Sequence, residues 1–133
     1  MKIVLVNGCF DGIHVGHLIH LKQAAAMGDR LVVALTDDET VKKEKGIGRP
    51  AFNQQERSDF LRSLRYVDSV VIVSNVRQAL QQVHPDIFAK GPDYSMDRID
   101  DITMQCCALD GIEIKFTTGY KFSSTALLSQ IFK

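Results

Sequence analysis

The fold class predicted by this sequence is α/β: an open, mostly parallel sheet with helices on both faces. Three observations carry it. Short apolar runs alternate with longer amphipathic ones along the whole chain. The first of the short runs are continuously apolar, as in strands buried on both faces. No internal repeat, low-complexity tract or linker interrupts the alternation, so the 133 residues read as a single domain, 1–133.

The elements follow in order. Ile3-Val4-Leu5-Val6, closed by Asn7-Gly8, reads as a buried strand. His17 to Met27 is helix-like, with Leu18, Leu21 and Ala25 on one face and Gly28 as its stop. Leu31 to Leu35 is a second strand. Asn53 with Glu56 three residues later forms a capping box that opens a helix carrying Phe60, Leu61 and Leu64. Val70 to Val73 is a third strand, and Val76 to Val83 a short helix ended by His84-Pro85. Ile87-Phe88-Ala89 is a fourth strand. Met96 to Leu109 reads as a helix stopped by Gly111, and Ile112, Ile114 and Phe116 alternate with polar residues as a fifth strand. Ser123 or Ser124 caps a last helix through Leu127, Leu128 and Ile131.

Composition excludes several classes. Lys plus Arg and Asp plus Glu each total 16, so the basic balance of a general nucleic-acid binder is absent. The N-terminus is neither a signal peptide nor a membrane span. Cys9, Cys106 and Cys107 make a poor disulfide framework and show no zinc spacing. A reduced cytoplasmic protein, with neither nucleic acid nor membrane as partner, is the expectation.

In an open parallel sheet, ligands bind outside the carboxyl ends of the strands where strand order reverses. The loops 8–17, 90–94 and 118–125 should therefore hold the chemistry. The first reads Asn7-Gly8-Cys9-Phe10-Asp11-Gly12-Ile13-His14-Val15-Gly16-His17. Gly8 allows the turn out of the strand, and Gly16 lets backbone approach a phosphate. His14 and His17 stand three residues apart where loop becomes helix, so both can face one ligand. A helix N-terminus adds unpaired N–H groups and partial positive charge, which suit a phosphate chain. The glycines at 8, 12 and 16 do not fit the dinucleotide fingerprint.

Residues 7 to 17 resemble the HxGH-containing opening of the cytidylyltransferase-like nucleotidyltransferases. The likeness continues. Lys45-Gly46, Arg49-Pro50 and Gln55-Glu56-Arg57 resemble that family's KG…RP…EQR segment. Arg65-Tyr66-Val67-Asp68 matches the RYVD of glycerol-3-phosphate and choline-phosphate cytidylyltransferases. Lys90-Gly91-Pro92-Asp93-Tyr94 is similar to the KGGDY of heptose 1-phosphate adenylyltransferase domains, and Phe122-Ser123-Ser124-Thr125 to the family's late ISST motif. Larger relatives often carry an arginine three residues after that threonine, where this chain has Leu128.

The resemblance implies a Rossmann-like open sheet of about five parallel strands, in agreement with the alternation above. It implies transfer of a nucleoside monophosphate from a nucleoside triphosphate to a small phosphorylated acceptor, releasing pyrophosphate, with Mg²⁺ or another divalent cation and in a homodimer. His14, His17 and Lys45 are then catalytic. Gly8, Cys9, Phe10, Asp11, Gly16, Lys90, Gly91, Asp93, Tyr94, Ser123, Ser124 and Thr125 bind the nucleotide, and Asp37, Arg49 and Arg65 the acceptor. Arg65 serves equally well at a dimer contact, and Asp93-Tyr94 as a strand-end turn. Lys42 and Lys43 read as solvated loop residues, His20 as helix surface, His84 as part of a turn, and Cys106 and Cys107 as packing residues. Two acceptor readings compete. The KGPDY segment favours ATP with a heptose 1-phosphate, and RYVD favours CTP with glycerol 3-phosphate. A regulatory nucleotide-binding domain without turnover is a third.

Overall fold

The computed structural model describes residues 1–91 and 99–118. Its elements are β1 (Ile3–Gly8), α1 (Val15–Ala25), β2 (Arg30–Thr36), α2 (Asp38–Lys45), α3 (Gln54–Arg62), β3 (Ser69–Val73), α4 (Val76–Val83), β4 (Ile87–Lys90), α5 (Asp101–Asp110) and β5 (Glu113–Phe116). The described strands form one sheet of order β3-β2-β1-β4-β5. Every neighbouring pair is parallel, with Val4 opposite Leu31 on one side and Ile87 on the other.

Alternation along each strand divides the core between two faces. Val4 and Val6, with Leu31, Val33 and Leu35, bury against Leu21 and Ala24 of α1 and Leu61 of α3. Leu5, Val32, Ala34 and Phe88 point the other way, onto Ala79 and Leu80 of α4 and Cys107 of α5. Helices thus cover both faces, as the continuous apolar runs require. Strand order reverses between β1 and β4, which opens a crevice at their carboxyl ends.

Several boundaries depart from the sequence reading. α1 begins at Val15 with His14 as its N-cap, two residues before the expected start. The stretch holding Lys42, Lys43 and Lys45 is a helix, α2, where a loop was expected. Asp37 caps it, Asp38 and Glu39 open it, and Gly46 ends it. The Asn53–Glu56 capping box forms as read, with both reciprocal bonds present. Leu61 is buried beneath it, but Phe60 faces solvent. The described part of the fifth helix starts at Asp101. The expected start at Met96 and the cap at Ser123 or Ser124 fall outside the described residues. No helix among the described residues is long and apolar enough to cross a membrane.

Candidate active site

β1 delivers the chain to the crevice, and the turn that follows is made at Phe10 and Gly12, whose φ angles are +47° and +88°. Gly8 serves differently from expected. It is still in the strand, and the Phe10 ring folds back over it, so a Cβ there would meet that ring at 3.0 Å. Phe10 is buried in turn and tilts against His17, ring centroids 5.5 Å apart. This packing aims the loop at the start of α1.

That helix start is capped by the two histidines themselves. His14 Nδ1 accepts from the Gly16 amide at 3.0 Å, and His17 Nδ1 accepts from the His14 amide at 3.1 Å. The arrangement is the reciprocal capping box usually built from Ser/Thr and Glu, here made with imidazoles. Because each Nδ1 accepts, each neutral ring carries its proton on Nε2. The rings lie 4.0 Å apart and both line the cleft. Burial, and then the charges of His14, His20 and Lys45, push His17 down to about 4 from 6.5. At pH 7 it is therefore a neutral donor.

This shift fixes a pH dependence. Between about 6.5 and about 4 the unfolded chain holds a proton on residue 17 that the folded chain refuses. The ligand-free protein should lose stability as pH falls through that window, whose upper part lies above the range where carboxylates titrate. His17→Gln should flatten the fall of melting temperature between pH 6.5 and 4. Identical slopes in both proteins would count against a neutral His17.

The cleft has a volume of about 1100 Å³. Of the residues singled out in the sequence, Gly8, Cys9, Phe10, His14, Gly16, His17, Lys45, Lys90 and Gly91 all line it. Lys45, at the end of α2, donates to Cys9 Sγ at 3.0 Å. Lys90, at the end of β4, donates to Asn7 Oδ1 at 3.3 Å, and burial lowers its pKa against the opposing pull of Asp100.

Other sequence candidates are placed elsewhere. The buried Asp11 carboxylate accepts from the amides of Ala51 and Phe52 and from Arg49 Nε. These bonds outweigh the burial that opposes ionisation, and its pKa is lowered. Asp11 and Arg49 thus tie the first loop to the one before α3, and neither lines the main cleft; Arg49 faces a shallow groove with Lys42 and Glu56. Asp37 accepts from the Thr40 amide and the Ser74 hydroxyl, joining α2 to the end of β3. Arg65 stacks over Tyr66 in the turn that leads into the amino end of β3. That is the far end of the sheet from the cleft, so the fold does not bring Arg65 to the other candidates of its own chain. Asp93, Tyr94, Ser123, Ser124 and Thr125 lie outside the described residues.

Sequence reasoning missed three residues. His20 is half-buried, lines the cleft, and sits 2.7 Å from Thr117 Oγ1, so it is not a plain surface residue. Arg77 of α4 lines the wall formed with Ser74 and Asn75. Arg57 is almost fully buried and bridges the carbonyls of Cys9, Thr36 and Phe52. Only Arg57 had a local signal, its place in the EQR motif. His20 and Arg77 depend on tertiary placement alone.

The cleft at the strand-order reversal thus brings together the imidazoles of His14 and His17, at a helix start, and the ammonium groups of Lys45 and Lys90. Comparison with known proteins gives the family. Residues 5–128 match the family model described as cytidylyltransferase-like. A bifunctional protein HldE of Pseudomonas aeruginosa is 44% identical over 129 residues, covering 96% of this chain and 27% of that protein. The protein of the same name from Pseudomonas fluorescens is 46% identical over 100 residues, covering 74% of this chain and 21% of the relative. The chain thus spans about a quarter of the length of these curated relatives. The crystal structure of the lipopolysaccharide core biosynthesis protein from Thermoplasma volcanium superposes with a TM-score of 0.78 at 27% identity, covering 91% of this chain and 99% of that one. The chain belongs to the cytidylyltransferase-like family of nucleotidyltransferases.

Proposed function

We propose that this chain transfers AMP from ATP to the phosphate of a sugar phosphate such as D-glycero-D-manno-heptose 1-phosphate, releasing pyrophosphate. The observation that carries the chemistry is the histidine capping box, which holds two Nε2–H donors on the cleft wall. An acceptor phosphate is already largely a dianion at pH 7, its second pKa being about 6. One of its oxygens attacks the α-phosphorus of ATP, the bond from that phosphorus to the bridging α–β oxygen breaks, and pyrophosphate leaves with the electron pair. No proton needs to be removed. The protein's task is to align two polyanions and absorb charge on the leaving group. His14 and His17 donate to the triphosphate, and Lys45 and Lys90 supply positive charge from opposite sides.

A divalent ion belongs to this reading as a companion of the triphosphate. Among the described residues no group of three or more His, Cys, Asp or Glu side chains is built to hold one. The Asp11 oxygens are also already engaged. The donor set among the described residues therefore fits Mg²⁺ carried on substrate phosphates, a common mode for that ion. When bound it would neutralise phosphate charge.

The sugar-phosphate assignment is supported by the KGPDY segment and by the likeness to the Thermoplasma protein, a lipopolysaccharide core biosynthesis protein. The segment that favours CTP, Arg65 to Asp68, has a different use in this fold. Asp68 exchanges hydrogen bonds with both backbone groups of Leu31, and Val67 is buried beside them. RYVD thus stitches β2 to β3 at the end of the sheet away from the cleft, where it cannot read a base. Pyrophosphate release should be measured with ATP, CTP, GTP and UTP, each against the heptose 1-phosphate and glycerol 3-phosphate. ATP with the heptose phosphate is expected to be fastest. CTP with glycerol 3-phosphate being fastest would transfer the assignment to the sibling branch, and no turnover with any pair would leave a binding module.

The reading includes a homodimer and a cytoplasmic location. The cysteines are all free, in keeping with a reducing compartment. The pair of exposed Arg65 and half-buried Tyr66 is a fitting subunit contact. Sedimentation at micromolar concentration should give twice the chain mass, and a monomer there would refute the dimer.

A further inference from the structure

The two walls of the cleft belong to different halves of the sheet. α1, which carries His14 and His17, packs on β1 and β2. Lys90 and Gly91 enter from β4, across the strand-order reversal. A reversal crevice has no strand spanning it above the carboxyl ends, so side chains must set its width. Two hydrogen bonds between described residues cross from α1 to the β4–β5 half. His20 Nδ1 meets Thr117 Oγ1 at 2.7 Å, and Gln23 Oε1 accepts from the Thr118 amide at 2.8 Å. They stand one helical turn apart, on the side of α1 that His17 continues. Thr117 is buried, and its amide donates to the Lys90 carbonyl at 2.9 Å. His20 is thus coupled through one buried threonine to the backbone that carries Lys90.

We infer that His20 is a positioning residue, which with Thr117 latches the catalytic helix to the ends of β4 and β5 and sets the spacing between His14, His17 and Lys90. The inference rests on the cleft being the triphosphate site. A triphosphate must touch both walls at once, so a loosened wall costs binding before it costs chemistry. The pair is short for a neutral hydrogen bond, and solvent is kept from the threonine, so no water replaces it cheaply.

The choice of variants follows from the geometry. Asparagine at position 20 places an amide close to where Nδ1 sits, whereas alanine places nothing there. Thr117→Val removes the hydroxyl at nearly constant shape, and Thr117→Ser keeps it. One hydrogen bond is worth up to about tenfold, so His20→Ala and Thr117→Val should each raise KM for ATP by about tenfold. With His14 and His17 untouched, kcat at saturating ATP should stay within about threefold of the wild type. His20→Asn and Thr117→Ser should restore KM to within about threefold. The double variant should be no worse than Thr117→Val alone, because that change already removes the His20 bond together with the longer one from the Thr117 hydroxyl to the Lys90 carbonyl at 3.4 Å. In the ligand-free protein, hydrogen exchange at the Thr117 and Thr118 amides should speed up in His20→Ala.

The latch is overturned if Thr117→Val behaves as wild type, or if the two single effects multiply. It is equally overturned if His20→Asn is no better than His20→Ala, since His20 would then act on the substrate directly. Absence of nucleotidyl transfer by the wild-type chain would remove the triphosphate reading, and exchange at Thr117 and Thr118 would still decide the latch.

Discussion

His14→Asn is expected to leave a folded protein whose turnover is at least about a hundredfold lower, and His17→Gln the same, as for loss of an oxyanion-type donor. Alanine is the wrong probe here. His14 is the N-cap of α1, and a cap replaced by alanine costs about 1 kcal/mol, which would mix instability with lost chemistry. Asparagine is among the best N-caps, so it keeps the bond from the Gly16 amide while removing Nε2. Glutamine is a usual partner at the third helical position, so it can still take the His14 amide proton. Both variants should melt within a few degrees of the wild type. Initial rates of pyrophosphate release at saturating ATP and heptose 1-phosphate give the test. Near-normal rates in both variants would remove the histidines from the mechanism and with them the proposed site.

The largest effect on stability is expected at Arg57. Its guanidinium donates from Nε to the Phe52 carbonyl at 2.9 Å and from Nη1 to the carbonyls of Cys9 and Thr36 at 2.7 and 2.8 Å. Nη2 reaches the Asp38 carboxylate at 2.8 Å. One buried side chain thereby satisfies the carbonyl just past β1, the last carbonyl of β2 and the loop before α3. Arg57→Met fills much of the volume but leaves three acceptors unpaired, and breaking a buried charged network costs about 3–5 kcal/mol. Against a total stability of about 5–15 kcal/mol, the melting temperature should drop by roughly 10–20 °C. Arg57→Lys should recover only part, since an ammonium cannot reproduce the planar fork. Asp38→Asn should be mild, because that carboxylate is 40% exposed. Thermal unfolding of the three variants measures this, and a drop of less than a few degrees in Arg57→Met would show that the carbonyls find other partners.

Particular residues show what was legible in the sequence. The strands were readable because burial on both faces forces continuous apolar runs such as Ile3 to Val6. α3 was readable from a cap, Asn53 with Glu56, that acts locally. His14 and His17 were readable from spacing and neighbours alone. α2 was not, because it buries only Val41 and shows no apolar stripe. Its signals were electrostatic: acids in the first turn, lysines in the last, and Asp37 before it. His20 was read as helix surface, and Arg57 was given no role beyond its place in the motif, for one reason. A charged or polar residue on an amphipathic helix is ordinarily solvated, and the partners that bury these two lie up to 97 residues away in the chain.

The start of α1 also withholds stability that other helices of the same chain take. α2, α3 and α5 each place a carboxylate in the first turn, where it complements the helix dipole, and α1, like α4, places none. Such a carboxylate would contribute about 0.3–1 kcal/mol. It would also repel a polyanion entering the cleft beside that helix start, so on the proposed function the most obvious route to a more heat-resistant variant runs against substrate capture. On the proposed function, that negative charge comes with the substrate. Nucleotide binding should then stabilise the chain most at the start of α1, the part of the unliganded protein that lacks it.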